Sequence, residues 1–244
     1  MPSITLSREV LKNELGLPSD AIKDDIIETD RYTNHSGGAY GVDTMGCIVG
    51  ISLGFKNHNH YRPKGNPKMS RRLRQLMISP IILSDEQLDF GRKEVNRLLG
   101  KNYQSGIVGD LQSRNYFQVV NSQAVYCFSK KTGDSTISGG TNTALQLAIK
   151  MGRDAYVFDL NSLRWFVYNP EVGSLCEMSE TPELTFDYAI VGTRDVEDYE
   201  TRDPKSGIWS PRLQYLGKDV ESEVGKALEK LFLKTRESYR ENER

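Results

Sequence analysis

The sequence predicts an α/β protein, a mostly parallel sheet covered by helices on both faces, and three observations carry that expectation. Short apolar runs alternate with helical patterns along most of the chain. One run, AVYCFSK (124–130), is continuously apolar, as a strand covered on both faces must be. Glycine turns punctuate the alternation at SGGAYGVDT (36–44), SGGTNT (138–143) and VGTRD (191–195).

The elements follow in chain order. LSREVLKNELG (6–16) predicts a helix with Leu6, Val10, Leu11 and Leu15 at helical spacing and Gly16 as its stop, and DAIKDDIIETDRYTNH (20–35) is polar and left unassigned. DTMGCIVGISLG (43–54) reads as a helix entered from a glycine turn. FKNHNHYRP (55–63) reads as a strand with His58 and His60 on one face. MSRRLRQLM (69–77) is a short basic helix and PIILS (80–84) a short buried strand. SDEQLDFGRKEVNRLLG (84–100) is a longer helix, opened by Ser84 with Gln87 three residues on and closed by Gly100. RNYFQVVNS (114–122) predicts a helix running into the strand AVYCFSK, and TNTALQLAIKMG (141–152) a helix ending at Gly152. DAYVFDL (154–160) and RWFVYN (164–169) read as a hairpin across Asn161 and Ser162, and FDYAIVGTRD (186–195) as a strand ending in the third glycine turn. In DVESEVGKALEKLFLK (219–234), Val220, Val224, Ala227, Leu228 and Leu231 share a helical face, and the polar tail after it is expected to fray. The expected organisation is an N-terminal helix and polar segment (1–34), one ligand-binding domain (35–235) and a tail (236–244).

Composition sets the limits. With 244 residues, 27% charged and 37% hydrophobic, and a net charge of −1, the chain can bury one substantial core and has no global field to attract nucleic acid. Arg8, Glu9, Lys12, Glu14 and Asp20 interrupt the first residues, so no secretion signal or membrane span is expected, and the location expected is the cytoplasm. Three cysteines, Cys47, Cys127 and Cys176, lack ligand spacing, so neither a disulfide framework nor a zinc site is expected, and Cys127 reads as core. NHNHYRP offers histidines at i, i+2 without a nearby acidic residue, which argues against a metal. His35 is either a phosphate donor beside the first turn or a solvated loop residue, and the basic RRLRQ segment is most simply a solvated face. No cofactor is expected.

The glycine turns carry the functional signal. Glycine lets backbone N–H groups approach a ligand closely, and a following helix N-terminus adds partial positive charge, so each turn suits a phosphate. Two nearly identical SGG openings, each leading into a helix, point to one shared site at the carboxyl ends of the strands.

SGGAYGVDT resembles the Ser-Gly-Gly-Ala-x-Gly-x-Asp signature of the DprA/YpsA branch of the SLOG superfamily, a Rossmann-like fold that includes the LONELY GUY phosphoribohydrolases. RNYFQVVNSQAVYCFSKK followed by SGGTNTALQLAIKMGRDAYVF is similar to the second signature of the superfamily. The resemblance covers residues 35 to 160 and implies a three-layer Rossmann-like parallel sheet, here with a β-hairpin extension. In YpsA-like proteins a strand ending in Gly-Ser-Arg begins the fold, whereas its likeness here, AIVGTRD, comes last. The resemblance therefore implies a circularly permuted order.

Ligand contacts implied by the turns and the resemblance are Ser36, Gly37, Gly38, Ala39, Tyr40, Asp43 and Thr44 in the first turn, and Ser138, Gly139, Gly140, Thr141, Asn142 and Thr143 in the second. Gly192, Thr193 and Arg194 belong to the third, and Arg114 matches the arginine that the family uses on its substrate's phosphate or ribose side. There are two departures. The catalytic glutamate of the phosphoribohydrolases falls on Gln146, an amide that cannot ionise, so no catalytic residue is assigned, although Asp43 or Asp195 remains able to supply a carboxylate. TDRYTNH, before the first turn, lacks the apolar strand the family has there. The expectation is a protein that binds an ADP-ribose-type or cyclic nucleotide without cleaving it. Its relatives imply a sensor in antiviral signalling or a sponge-like phage antidefence protein, and an assembly into homo-oligomers through helices. An N-glycosidic-bond enzyme and a DprA-like single-strand DNA binder using Arg71, Arg72 and Arg74 are the alternatives.

Overall fold

The computed structural model describes residues 29–64, 73, 79–194, 200–202, 209–211 and 223–242. The expected helix at 6–16 and, apart from Leu73, the basic helix at 69–77 lie outside them. In chain order the main body runs β1 (Thr33–Ser36), α1 (Val42–Ser52), β2 (Asn57–Pro63), β3 (Ile81–Leu83), α2 (Asp85–Leu99), α3 (Ile107–Val120), β4 (Ala124–Ser129) and α4 (Thr141–Lys150). It continues with β5 (Asp154–Asp159), β6 (Arg164–Asn169), β7 (Ser174–Glu177), β8 (Asp187–Gly192) and α5 (Glu223–Asn242). A separate antiparallel pair, β9 (Glu200–Arg202) and β10 (Trp209–Pro211), precedes α5.

One sheet takes eight strands in the order β3-β2-β1-β8-β4-β5-β6-β7. Pairing is parallel from β3 through β5, and β6 and β7 are added antiparallel. The hairpin extension is thus a three-strand meander. SLCE (174–177) was not readable as its last strand, because four residues around a cysteine carry almost no alternation.

Helices α1 and α5 cover one face and α2, α3 and α4 the other, the three layers of a Rossmann-like α/β fold. The first interface buries Met45, Ile48, Leu228, Leu231 and Phe232 against Tyr126, Phe128, Tyr188 and Ile190. The second buries Val95, Val119, Leu145 and Ala148 against Val125, Cys127, Val157, Ala189 and Val191. Alternate residues of β4 and β8 serve the two cores, which is why AVYCFS is apolar throughout and buried at every position. Among the described residues no helix is long and apolar enough to cross a membrane.

The last parallel strand in the chain sits at the centre of the sheet, between β1 and β4. Counted from β8, the strands step outward first to one side through β1, β2 and β3, then to the other through β4 and β5. Helix α5 closes the circle: its Tyr239 ring lies 6.5 Å from that of Tyr32, the residue just before β1. The strand that carries the third glycine turn thus lies beside those that carry the first and second.

Two expectations need correction. TDRYTNH lacks an apolar strand, as expected, but not a strand: Thr33–Ser36 is a central strand made of polar residues, with Asn34 and Ser36 fully buried. Its polar atoms are answered by side chains, since Asn34 Oδ1 accepts from Ile190 N at 3.3 Å and the His35 ring lies 3.0 Å from Tyr61 Oη and 3.2 Å from Asp187 Oδ1. His35 is therefore neither a loop residue nor a phosphate donor. The second concerns PIILS, where Ile82 is 53% exposed because β3 is an edge strand. The polar tail, for its part, continues as helix through Asn242, held by Thr235, whose Oγ1 donates to Leu231 O and accepts from Leu184 N, and by Tyr239 against Tyr32.

Candidate functional site

A cleft of about 360 Å³ opens at the carboxyl ends of β1, β8 and β4, where the strand order reverses direction. All three glycine turns reach it: Ala39 and Asp43 from the first, Ser138, Gly139, Gly140 and Thr141 from the second, and Gly192, Thr193 and Arg194 from the third.

The first and third turns interlock through missing side chains. A Cβ on Gly41 would lie 2.4 Å from Thr193 O, and one on Gly192 would lie 2.5 Å from Val42 Cβ. Val42 N donates to Thr193 O at 3.2 Å, and Thr193 N to Phe128 O at 3.0 Å, so the three strand ends are tied together. Inside the first turn Ser36 Oγ accepts from Gly38 N, Asp43 Oδ2 from Ala39 N, and Thr44 Oγ1 donates to Ala39 O. Ser36 and Thr44 thus shape the turn rather than line the cleft.

The second turn is more open. Gly139 has φ +71°, and a Cβ on Gly139 or Gly140 would meet nothing within 4 Å among the described residues. Gly140 is the N-cap of α4 and brings no side-chain cap; Asn142 N and Thr143 N donate back to Gly139 O and Gly140 O, so the ten-residue helix meets the cleft at Thr141. Ser138 is held by Ser129 Oγ, and Asn142 Oδ1 accepts from Ile137 N, which makes Asn142 a brace of the turn.

Arg114 enters from α3 and lines the cleft with its guanidinium pressed onto the first turn: Nη1 donates to Gly37 O at 3.3 Å, and a Cβ on Gly37 would lie 2.3 Å from Arg114 Cζ. Its Nε has no partner among the described residues. Burial pulls the Arg114 pKa down and pushes that of Asp43 up, and each charge partly offsets the shift of the other. Such a pair is incompletely compensated.

The sequence reading missed a second group on α3. Leu111, Gln112, Asn115 and Gln118 also line the cleft. Gln118 is fully buried, and neither its Oε1 nor its Nε2 has a partner among the described residues. Leu111, Arg114, Asn115 and Gln118 fall at i, i+3, i+4 and i+7, so the signal was present in the sequence once the helix is begun at Ile107 instead of Arg114. Leu111, Ala144 and Val191 supply an apolar wall.

Other expected contacts stand off the cleft. Gly37 lines a small neighbouring cavity with Arg62 and Arg194, and Ser36, Gly38, Tyr40, Thr44, Asn142 and Thr143 do not line the main one. Gln146 donates to Ser135 O at 2.6 Å and braces the loop before the second turn, away from the cleft. Asp195 and Arg71, Arg72 and Arg74 lie outside the described residues. The apolar face of α5, with Val224, Ala227, Leu228 and Leu231, is buried in the chain's own core. Comparison of the chain with family models, curated proteins and solved structures finds no match to any of them, so the meaning of the cleft rests on its own residues.

Proposed function

We propose that the cleft binds a phosphate-bearing, nucleotide-derived ligand, of the ADP-ribose or cyclic-nucleotide class, and holds it without cleaving it. The observation that carries this reading is the convergence of three glycine turns from adjacent parallel strands on one cleft that also contains Arg114 and Arg194. Phosphate oxygens suit the open amides at Gly139 to Thr141 and the two guanidinium groups. The unpartnered amide of Gln118 suits a polar edge of a base or ribose, and Leu111, Ala144 and Val191 suit its apolar face. The likeness to SLOG signatures supports a cytoplasmic sensor or a sponge that sequesters such a signal.

Native mass spectrometry of protein purified from nucleotide-rich cells, followed by thermal shift with ADP-ribose and cyclic dinucleotides, tests the reading. A ligand at 100 times its Kd adds about 2.7 kcal/mol of stability. No shift with any nucleotide, and no co-purified ligand, would sink it.

One observation favours a second reading, an N-glycosidic-bond enzyme. Asp43 is a buried carboxylate on the cleft whose pKa is pushed up by burial, the condition of a general acid. Release of free base from nucleoside monophosphates or NAD-derived nucleotides, abolished in Asp43→Asn, would replace binding by catalysis.

A further inference from the structure

Beneath the first glycine turn, on the α1 side of the sheet, three side chains with metal-binding atoms come together. Cys47 of α1 and His58 and His60 of β2 each offer one ligand atom, and these atoms lie within 4.8 Å of one another. Neither ring nitrogen of His60, a residue with no exposed surface, has a hydrogen-bond partner among the described residues. Leaving such groups unanswered in a core is costly, so a plain packing role accounts poorly for them. The His58 ring is oriented as ligating histidines are: its Nε2 lies 2.9 Å from Phe55 O, which accepts the ring N–H, and its Nδ1 faces Asn34 Nδ2 at 3.3 Å, a long contact that a bound ion would displace. The two rings are stacked 5° from parallel. Tyr188, also fully buried, adds a hydroxyl with no partner among the described residues.

We propose that Cys47, His58 and His60 form a zinc(II) site that pins α1 to β2. One thiolate and two imidazoles suit zinc, whose bonds of about 2.3 Å to sulfur and 2.0–2.1 Å to nitrogen need the three atoms to close by only about 1 Å from their present spread. The Cys47 S–H proton leaves for solvent as the zinc–sulfur bond forms. The site lies apart from the nucleotide cleft and does not depend on that reading. A Cβ on Gly38 would lie 3.2 Å from His60 Nδ1, so the zinc would hold the floor on which the first turn rests.

The test uses the whole chain, untagged and produced in zinc-supplemented medium without chelator. Elemental mass spectrometry is expected to find about one zinc per chain. After unfolding with chelator and refolding with cobalt(II), the spectrum is expected to show the charge-transfer band of a thiolate-bound ion. Cys47→Ser and His60→Gln are each expected to weaken zinc binding at least tenfold while leaving the far-ultraviolet circular dichroism unchanged. Less than about a tenth of an equivalent of zinc in the wild type, together with no thiolate–cobalt band, would overturn the proposal. Stoichiometric copper in place of zinc would overturn the assignment of the ion, and zinc retained by both variants that of the ligands. The wild-type measurements decide the matter even where a variant fails to fold.

Discussion

Gln118 and Gly37 show how differently single residues serve the cleft. Gln118 is buried with an unanswered amide, so replacing it by a shape-matched apolar residue removes a desolvation cost from the free protein. Gln118→Met is expected to leave the urea midpoint of the ligand-free protein unchanged or to raise stability by about 1 kcal/mol, and to weaken the best-binding nucleotide by about tenfold in calorimetry. A clear loss of stability would mean that the amide is satisfied internally. Gly37 never touches the main cleft, yet its missing Cβ is what lets Arg114 lie across the first turn. Gly37→Ala is expected to cost about 1–3 kcal/mol by overpacking and to displace the guanidinium, with ligand affinity falling at least tenfold. At this scale the sequence was legible where chemistry sits in contiguous motifs. Motif alone singles out Gly139 to Thr141 and, through the family resemblance, Arg114, and all of them line the cleft, although a glycine pair before a helix can also be a plain tight turn. Gln118 was hidden because its role depends on where a helix begins. The Cys47, His58 and His60 group was hidden because one ligand comes from a helix ten residues before a strand that carries the other two.

Among elements, β1 departs furthest from expectation. It pairs with β8 only at Thr33 and Asn34, and beyond that point the Asn34 side chain takes the place of backbone by accepting from Ile190 N. A central strand can therefore be polar when its side chains complete the ladder, and apolar periodicity alone does not find it. Asn34→Val, although a better strand former, is expected to destabilise the protein by about 1–3 kcal/mol, because it orphans a buried N–H. Equal or greater stability in urea would show that the bond is dispensable. The capping box of α2 makes the opposite case: Ser84 and Gln87 exchange hydrogen bonds of 3.2 and 2.8 Å, and Gly100 ends the helix with φ 60°, all as the sequence announced. Local signals of this kind are legible because they close within one turn of chain.

For the whole molecule, the three histidines of the chain share one fate. His35, His58 and His60 lie on the adjacent strands β1 and β2, and burial lowers the pKa of each, to about 4 for His58 and about 3 for His60. The unfolded chain therefore binds protons below about pH 6.5 that the fold refuses, so stability is full above that value and is lost as pH falls toward 4. Measured with chelator present, the decline should approach about 1.4 kcal/mol per pH unit for each proton taken up on unfolding, with His60→Gln reducing the slope. A flat profile between pH 6.5 and 4 would contradict this burial. The circular order of the strands predicts that joining Arg244 to Met1 and opening the chain between Ser179 and Pro182 yields a protein that unfolds cooperatively and binds the same ligand. The same order governs how the molecule is made. Until residues 187–192 leave the ribosome, β1 and β4 each present an unpaired edge at what will become the middle of the sheet, and the cleft has no floor between them. The pairing that closes it spans more than half the chain between Thr33 and Asp187, a contact of high sequence separation that slows folding and exposes sticky edges meanwhile. The cleft thus takes shape late and all at once, so a chain cut short before β8 is expected to aggregate.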